Sequence, residues 1–269
     1  MTAVVPVGKA RLDEAVVARG LANTRSRARA LILAGDVQVN GATVVRAGAP
    51  VRPADAVELA ARPRFVSRGG DKLAHALDRF RIVPIGLVAA DFGASTGGFT
   101  DCLLQGGVSR VYAVDVGYGQ LDARLRQDPR VTVMERLNAR YLDRLPEPVD
   151  LVVIDVSFIS LGVIFPVAAK VLISGGRCVP LIKPQFEAGR RDVGKGGVVK
   201  DAAIHRQVLE TVLAAATENG FSIQGLTASP LRGPAGNVEF LAALTLDREP
   251  TDAAPLIAAA LAEAAELAT

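Results

Sequence analysis

Four charged residues stand where apolar strands and helices of this chain begin or end. They are Lys72 in SRGGDKL, Asp155 closing LVVID, Lys183 closing VPLIK and Glu239 in GNVEF. A lysine is almost never fully buried without a partner, so Lys183, behind the apolar run Val179-Pro180-Leu181-Ile182, calls for one. An amine facing a carboxylate in a cleft can hold or move a proton. Taken singly, each of the four reads as well as a surface charge or half of a salt bridge.

A second chemical feature lies upstream. DFGASTGGFTD follows an apolar strand and opens a helix, which is where open α/β sheets bind ligands. Asp115 closes the next strand, 18 residues after Gly97, and an acid there can take both hydroxyls of a ribose. The spacing Gly93-x-x-x-Gly97-Gly98 is not the G-x-G-x-x-G of dinucleotide enzymes. S-adenosylmethionine therefore fits better than NAD, and an NAD-dependent oxidoreductase is disfavoured. The cofactor candidates are Asp91, Gly93, Ala94, Ser95, Thr96, Gly97, Gly98, Asp115 and Val116, with Asn138 after the third strand. Asn138 reads equally as an adenine contact or a helix cap. The stretch GRRDVGK, Gly189 to Lys195, matches GxxxxGK, but Gly196-Gly197 replaces the Ser or Thr and helix of a true phosphate loop. It reads as a basic, glycine-rich loop, with a plain surface loop as the alternative.

The elements that must position these residues fall into two parts. Residues 67–269 alternate apolar strands with helical stretches: LVAADFG, RVYAVDVG, RVTVME, VDLVVIDV, GRCVPLIK, GFSIQGLTAS and VEFLAALTL. This predicts an α/β fold with a seven-stranded doubly wound, Rossmann-like sheet. Residues 1–60 predict a small α+β domain. Its first helix starts at Leu12 and stops at Gly20, and its second is capped by Thr24 and stops at Gly35. VQVNGATVV then forms a hairpin about Asn40-Gly41, and AVELA a last strand. Residues 61–66, rich in charge and proline, read as a linker.

Composition narrows the class. Half of the 269 residues are apolar and 22% charged, as in a folded soluble protein. Cys102 and Cys178 lack CxxC partners, so neither a zinc site nor a disulfide framework is signalled, and a reducing, cytoplasmic setting is expected. The N-terminus does not read as a secretory signal. No stretch reaches 18 apolar residues, so no membrane span is expected. Net charge is +3. In residues 1–60, eight Lys or Arg face five acids, and five arginines fall between positions 11 and 29. Arg25 and Arg29 lie one helical turn apart and suit phosphate contacts, although a solvated helix face is the commoner meaning of such a run.

The basic second helix and the VxVNG hairpin resemble the S-four-type (αL) RNA-binding domain. SRGGDKL, VVIDVSFIS, PLIKPQFE and GNVEF, with GASTGGFTD and VDVGYGQL, resemble the TlyA, or hemolysin A-like, family. These are ribosomal RNA 2′-O-methyltransferases with an FtsJ-like catalytic domain, and the resemblance covers nearly the whole chain. It implies S-adenosylmethionine as cofactor, ribosomal RNA or ribosomal subunits as partner and a cytidine as target. It also implies a Lys-Asp-Lys-Glu tetrad of Lys72, Asp155, Lys183 and Glu239. Lys183 would be the base; Lys72 and Asp155 would position the hydroxyl, and Glu239 would orient a lysine. RNA-contact candidates are Arg11, Arg25, Arg29, Arg68, Arg190, Arg191 and Lys195. Phe158 could stack on the target base or lie in the core, and Ser229 and Asn237 could touch RNA or shape a turn. His75 and His205 receive no chemistry. The competing classes are a non-catalytic RNA-binding protein and a membrane-active hemolysin.

Overall fold

The computed structural model describes residues 9–59, 63–189, 191–247, 249 and 251–267. Its contacts divide the chain after Pro63 into two compact units.

In the first unit, β1 (Ala10–Arg11) leads into α1 (Leu12–Ala18), followed by α2 (Arg25–Leu33). The Thr24 side chain caps α2 by accepting from the Arg27 amide at 3.2 Å. β2 (Val37–Val39) and β3 (Ala42–Thr43) form the hairpin. Asn40 and Gly41 both take positive φ, 50° and 79°, as a type I′ turn requires. β4 (Pro50–Val51) pairs with β1, a two-residue ladder that the sequence pattern did not reveal, and β5 (Val57–Leu59) pairs with β2. Leu12, Val16, Ala28, Ile32 and Val37 fill the core of this unit.

The second unit begins before the predicted boundary. Phe65 is buried, and the Val66 amide donates to Asp101 at 2.8 Å. Residues 64–66 are thus packed into this unit, while Ala60 to Arg62 lie outside the described residues. α3 (Gly69–Arg79) precedes β6 (Val88–Phe92), α4 (Gly98–Gln105), β7 (Arg110–Val114), α5 (Ala123–Gln127) and β8 (Val131–Met134). A 3₁₀ turn at Ala139–Tyr141 follows. Then come β9 (Val149–Ile154), α6 (Leu161–Val171), β10 (Leu172–Ile182), the single-turn α7 (Pro184–Glu187) and α8 (Ala202–Glu218). β11 (Phe221–Ala228), β12 (Phe240–Leu246) and α9 (Ala254–Glu266) close the chain.

The sheet order is β11-β12-β10-β9-β6-β7-β8. The ladders from β10 to β8 are parallel, and β12 runs antiparallel to both its neighbours. α3, α4 and α5 cover one face, through Leu73, Leu103 and Leu125. α6, α8 and α9 cover the other, through Ile164, Leu209 and Ile257.

Strand alternation assigns the faces. Val152, Ile154, Cys178, Ile182, Phe240 and Ala242 belong to the second layer, and Val153, Val179, Leu181 and Leu241 to the first. Period-two alternation carries the next residues, Asp155, Lys183 and Glu239, to the α3 face. The register Ile182↔Phe240 and the bond from Asp155 N to Phe92 O, 2.9 Å, bring those three strand ends to one rim.

Candidate active site

The four charged residues converge as two ion pairs. Lys72 projects from α3 onto Glu239 in a contact that is almost fully buried on both sides. Lys183 Nζ lies 2.7 Å from Asp155 Oδ1, a charge contact outside hydrogen-bonding angles. The same nitrogen donates to the Val156 carbonyl and the Ser157 hydroxyl, each at 3.0 Å. These two acceptors take two of the three donors of an ammonium. All four residues line one cavity of about 510 Å³.

A second cavity, of about 500 Å³, lies against the first. Gly93, Ser95, Asp155, Ser157 and Phe158 border both. Asp115, Val116 and Asn138 line the second alone. The Asp115 carboxylate is fixed by two backbone donors, Ser95 N at 2.8 Å and Gly117 N at 2.6 Å, and keeps acceptor capacity for hydroxyls. Gly93 is required by space as well as by its φ of 89°: a Cβ there would lie 2.6 Å from the Asp155 carbonyl oxygen.

The predicted cofactor residues divide. Gly93, Ala94, Ser95, Thr96 and Gly98 line the tetrad cavity. Gly97 lines neither; it takes a φ of 99° and packs under Leu125 and Leu121. Asp91 also lines neither cavity. It is fully buried, accepts from the Thr100 hydroxyl at 2.7 Å and leaves Oδ1 without a partner among the described residues. Burial, reinforced by the Asp155 and Asp115 charges and opposed by Thr100, pushes its carboxyl up to about 7. Asn138 lines the second cavity and caps the 3₁₀ turn through Arg140 N at 3.1 Å, which is the cap reading.

The basic candidates divide too. Arg68 lines the tetrad cavity. Arg191 and Lys195 are exposed, and Arg190 lies outside the described residues. Among their neighbours, Gly196 and Gly197 line the tetrad cavity with positive φ. In the first unit, Arg11, Arg25 and Arg29 converge on Asp13, at 3.0, 3.1 and 3.0 Å. Asp13 is completely buried, and the arginines hold its carboxyl well below the usual range against the cost of burial.

Phe158 is not a core residue. It is 88% exposed, takes a φ of 62° and lies 4.7 Å from the Phe186 ring. Ser229 shapes a turn through the Leu231 carbonyl at 2.7 Å. Asn237, buried, binds Val199 N and the Gly197 carbonyl and so ties down the glycine loop. His205 is buried beside the Val199 carbonyl, and His75 reaches Thr227. Sequence reasoning missed Asp13, Ser157 and Glu187. Glu187 accepts from Ser160 Oγ and Leu161 N, joining α7 to the start of α6. No spacing advertises Ser157 and Glu187, each defined by a partner distant in the chain, and Asp13 gathers its neighbour Arg11 with Arg25 and Arg29 of α2.

The model of the FtsJ-like methyltransferase family matches residues 65–246. This chain belongs to that family. It is a methyltransferase, and its methyl donor is S-adenosylmethionine. The S4 domain model matches residues 10–57 of this methyltransferase. The chain is 45% identical over 236 residues to the 16S/23S rRNA (cytidine-2′-O)-methyltransferase TlyA of Mycobacterium tuberculosis, covering 86% of this chain and 88% of the relative. It is 42% identical over 238 residues to hemolysin A of Brachyspira hyodysenteriae, covering 86% and 98%. A solved structure named "putative hemolysin", from Streptococcus thermophilus, superposes with a TM-score of 0.75 at 43% identity, covering 97% of this chain and 98% of that one. Among the described residues, no helix is long and apolar enough to cross a membrane.

The cofactor fits what the residues offer. Asp115 can accept from a ribose diol, and Gly93 and Ser95 at the strand end border both cavities.

Proposed function

We propose that this methyltransferase modifies the ribose 2′-hydroxyl of a cytidine in ribosomal RNA, with Lys183 as base. The observation that carries the reading is the convergence of two lysine–carboxylate pairs in a cavity that shares a wall with the cofactor cavity. S-adenosylmethionine, when bound, supplies a methyl group made electrophilic by its sulfonium.

The residues of the chain do the rest. The cavity with Asp115 and Asn138 holds the nucleoside end of the cofactor. The tetrad cavity takes the target ribose. Lys183, once its ammonium has released a proton to solvent, accepts the proton that the 2′-hydroxyl gives up, and general base assistance of this kind is worth roughly 10²–10⁴-fold. Asp155 keeps the Lys183 nitrogen at the shared wall. The exposed Ser157 hydroxyl is the contact that an entering hydroxyl displaces most easily. Lys72, pinned by Glu239, holds the substrate oxygen in place, and positioning of this kind contributes several kcal/mol in well-ordered sites.

Phe158, exposed at the border of both cavities, is placed to stack on an unstacked base. The S4 domain docks RNA through Arg11, Arg25 and Arg29, and within the second unit Arg68, at the cavity, with Arg191 and Lys195 meets phosphates. Such a substrate places the protein in the cytoplasm.

The test is methyl transfer from labelled S-adenosylmethionine to separated ribosomal subunits and their free RNAs. Label mapped to a cytidine 2′-oxygen is expected. Cofactor binding with no label on any RNA would leave a binding-only role.

A further inference from the structure

Phe158 is a bulky residue on left-handed backbone, with a φ of 62°, and its ring is exposed. Bulky side chains rarely adopt that conformation, and it persists only where the surroundings fix it. Core packing cannot be what fixes it, since the ring stands in solvent.

The fixing contacts come from α7. Before Phe158 in the chain, Lys183 Nζ donates to the Val156 carbonyl and the Ser157 hydroxyl, each at 3.0 Å. After it, Glu187 accepts from the Ser160 hydroxyl at 2.7 Å and from the Leu161 amide at 2.8 Å, one on each carboxylate oxygen. Between these bonds the Phe186 ring lies 4.7 Å from that of Phe158. Lys183 is the N-cap of α7 and Glu187 its last residue. One helical turn thus holds the Asp155–Ser160 loop on both sides of the strained position.

Glu187 does more there than cap a helix. Ser160 already caps α6 from within, accepting from Gly162 N at 3.2 Å. The carboxylate adds the Leu161 amide, one of those that a helix start leaves without an internal partner, and the hydrogen of the Ser160 hydroxyl. Burial pushes the Glu187 carboxyl up against these two donors, so a carboxylate is kept here at a cost. Lys183 and Phe186 line the tetrad cavity, but Glu187 lines neither cavity. Any part it plays in the reaction passes through the loop.

We propose that Glu187 is a positioning residue: by fastening α7 to the Asp155–Ser160 loop it holds Phe158 left-handed, with its ring presented at the border of the two cavities to receive the target base. This rests on the reading that Phe158 stacks on an unstacked RNA base. A ring held in place beforehand loses less freedom when the base arrives, which favours binding.

The test uses the full chain and the ribosomal RNA that the wild-type enzyme labels, at saturating S-adenosylmethionine. Loss of the stacking ring in Phe158→Ala should lower kcat/KM for RNA by about 5–150-fold. Glu187→Ala should lower it by at least about fivefold, on the scale of a lost stack. Glu187→Gln, whose amide can still accept from Leu161 N and donate to Ser160 Oγ, should stay within about threefold of wild type. In a Phe158→Ala background, Glu187→Ala should cost less than about twofold more, because two changes that act through one group do not add. A role in fold stability alone would leave the losses multiplying. The chain contains no tryptophan, so Phe158→Trp supplies a lone reporter, and adding Glu187→Ala should lower its fluorescence anisotropy. If Glu187→Ala does not fold, Ser160→Ala, which removes one donor and keeps the carboxylate, carries the same expectations. Multiplying losses or an unchanged anisotropy overturn the proposal, as does a folded Glu187→Ala enzyme with wild-type kcat/KM. Phe158→Ala at the wild-type level removes the stacking reading, and this inference with it, while methyl transfer stands. A wild type that labels no RNA removes the proposed function as well.

Discussion

Lys183 Nζ stands 2.7 Å from Asp155 Oδ1, across the adjoining ends of β10 and β9. The pair exists because parallel register sets Pro180 opposite Ile154, and the two chains leave the sheet side by side. Lys183→Ala should lower transfer by roughly 10²–10⁴-fold while S-adenosylmethionine still binds. Lys183→Arg should fail as badly, because a guanidinium keeps its charge but does not lose a proton in proteins. Single-turnover transfer with the RNA substrate measures both. An active Lys183→Arg enzyme would remove the base role from this residue.

The Lys72–Glu239 pair makes a different demand. Its side chains are 8% and 1% exposed, so neither charge can turn to water if its partner is lost. Removing one member of such a pair typically costs about 3–5 kcal/mol. Glu239→Ala should therefore melt early as well as lose activity. The double replacement Lys72→Met with Glu239→Leu should recover most of the stability, since apolar substitution of a buried pair is often neutral, yet stay inactive. Transfer by the refolded double variant would show that the pair only supports the fold.

Asp91 predicts a pH dependence of stability. Its folded value of about 7 lies above the ordinary value of about 3.9 for an unfolded chain. Between these limits the native state holds the proton and the unfolded state does not, so stability falls as pH rises through that window. Asp91→Asn removes the titrating group and should flatten this slope. Denaturant melts at several pH values between 4 and 8 check it, and an unchanged slope would assign the dependence elsewhere.

What the sequence disclosed follows from what repeats locally. The central strands were visible because they are buried on both faces and read as continuous apolar runs, and the Asn40-Gly41 turn because its backbone needs left-handed residues. The four charged residues stood out because each punctuates an apolar element, while their grouping as a tetrad was implied only by the resemblance. The β1–β4 ladder was hidden by its two-residue length. Phe65 looked like linker because its burial depends on Gly70, where a Cβ would lie 2.2 Å from the Phe65 ring. Phe158 looked like core by composition, yet its left-handed backbone turns it outward.

Asp13 separates two views of how the S4 domain meets RNA. Arg11, Arg25 and Arg29 come from two elements and point at one buried carboxylate, while their side chains remain about half exposed. If RNA affinity came from charge alone, Asp13→Asn would strengthen binding, because it raises the net positive charge by one. If the carboxylate holds the three guanidiniums in a fixed fork for phosphate oxygens, the same change should weaken binding and flatten its salt dependence. The fork arrangement predicts the second outcome, together with faster amide exchange in α1 and α2. The stability contributed by Asp13 has a defined window as well. Its carboxyl is depressed in the folded state, so the contribution is full above the ordinary value of about 3.9 and disappears only as pH falls toward the depressed one. At neutral pH the variant should therefore exchange faster than wild type. Filter binding to ribosomal RNA at several salt concentrations, with hydrogen exchange on the same samples, decides between the two views, and tighter binding by Asp13→Asn would leave the fork without a role.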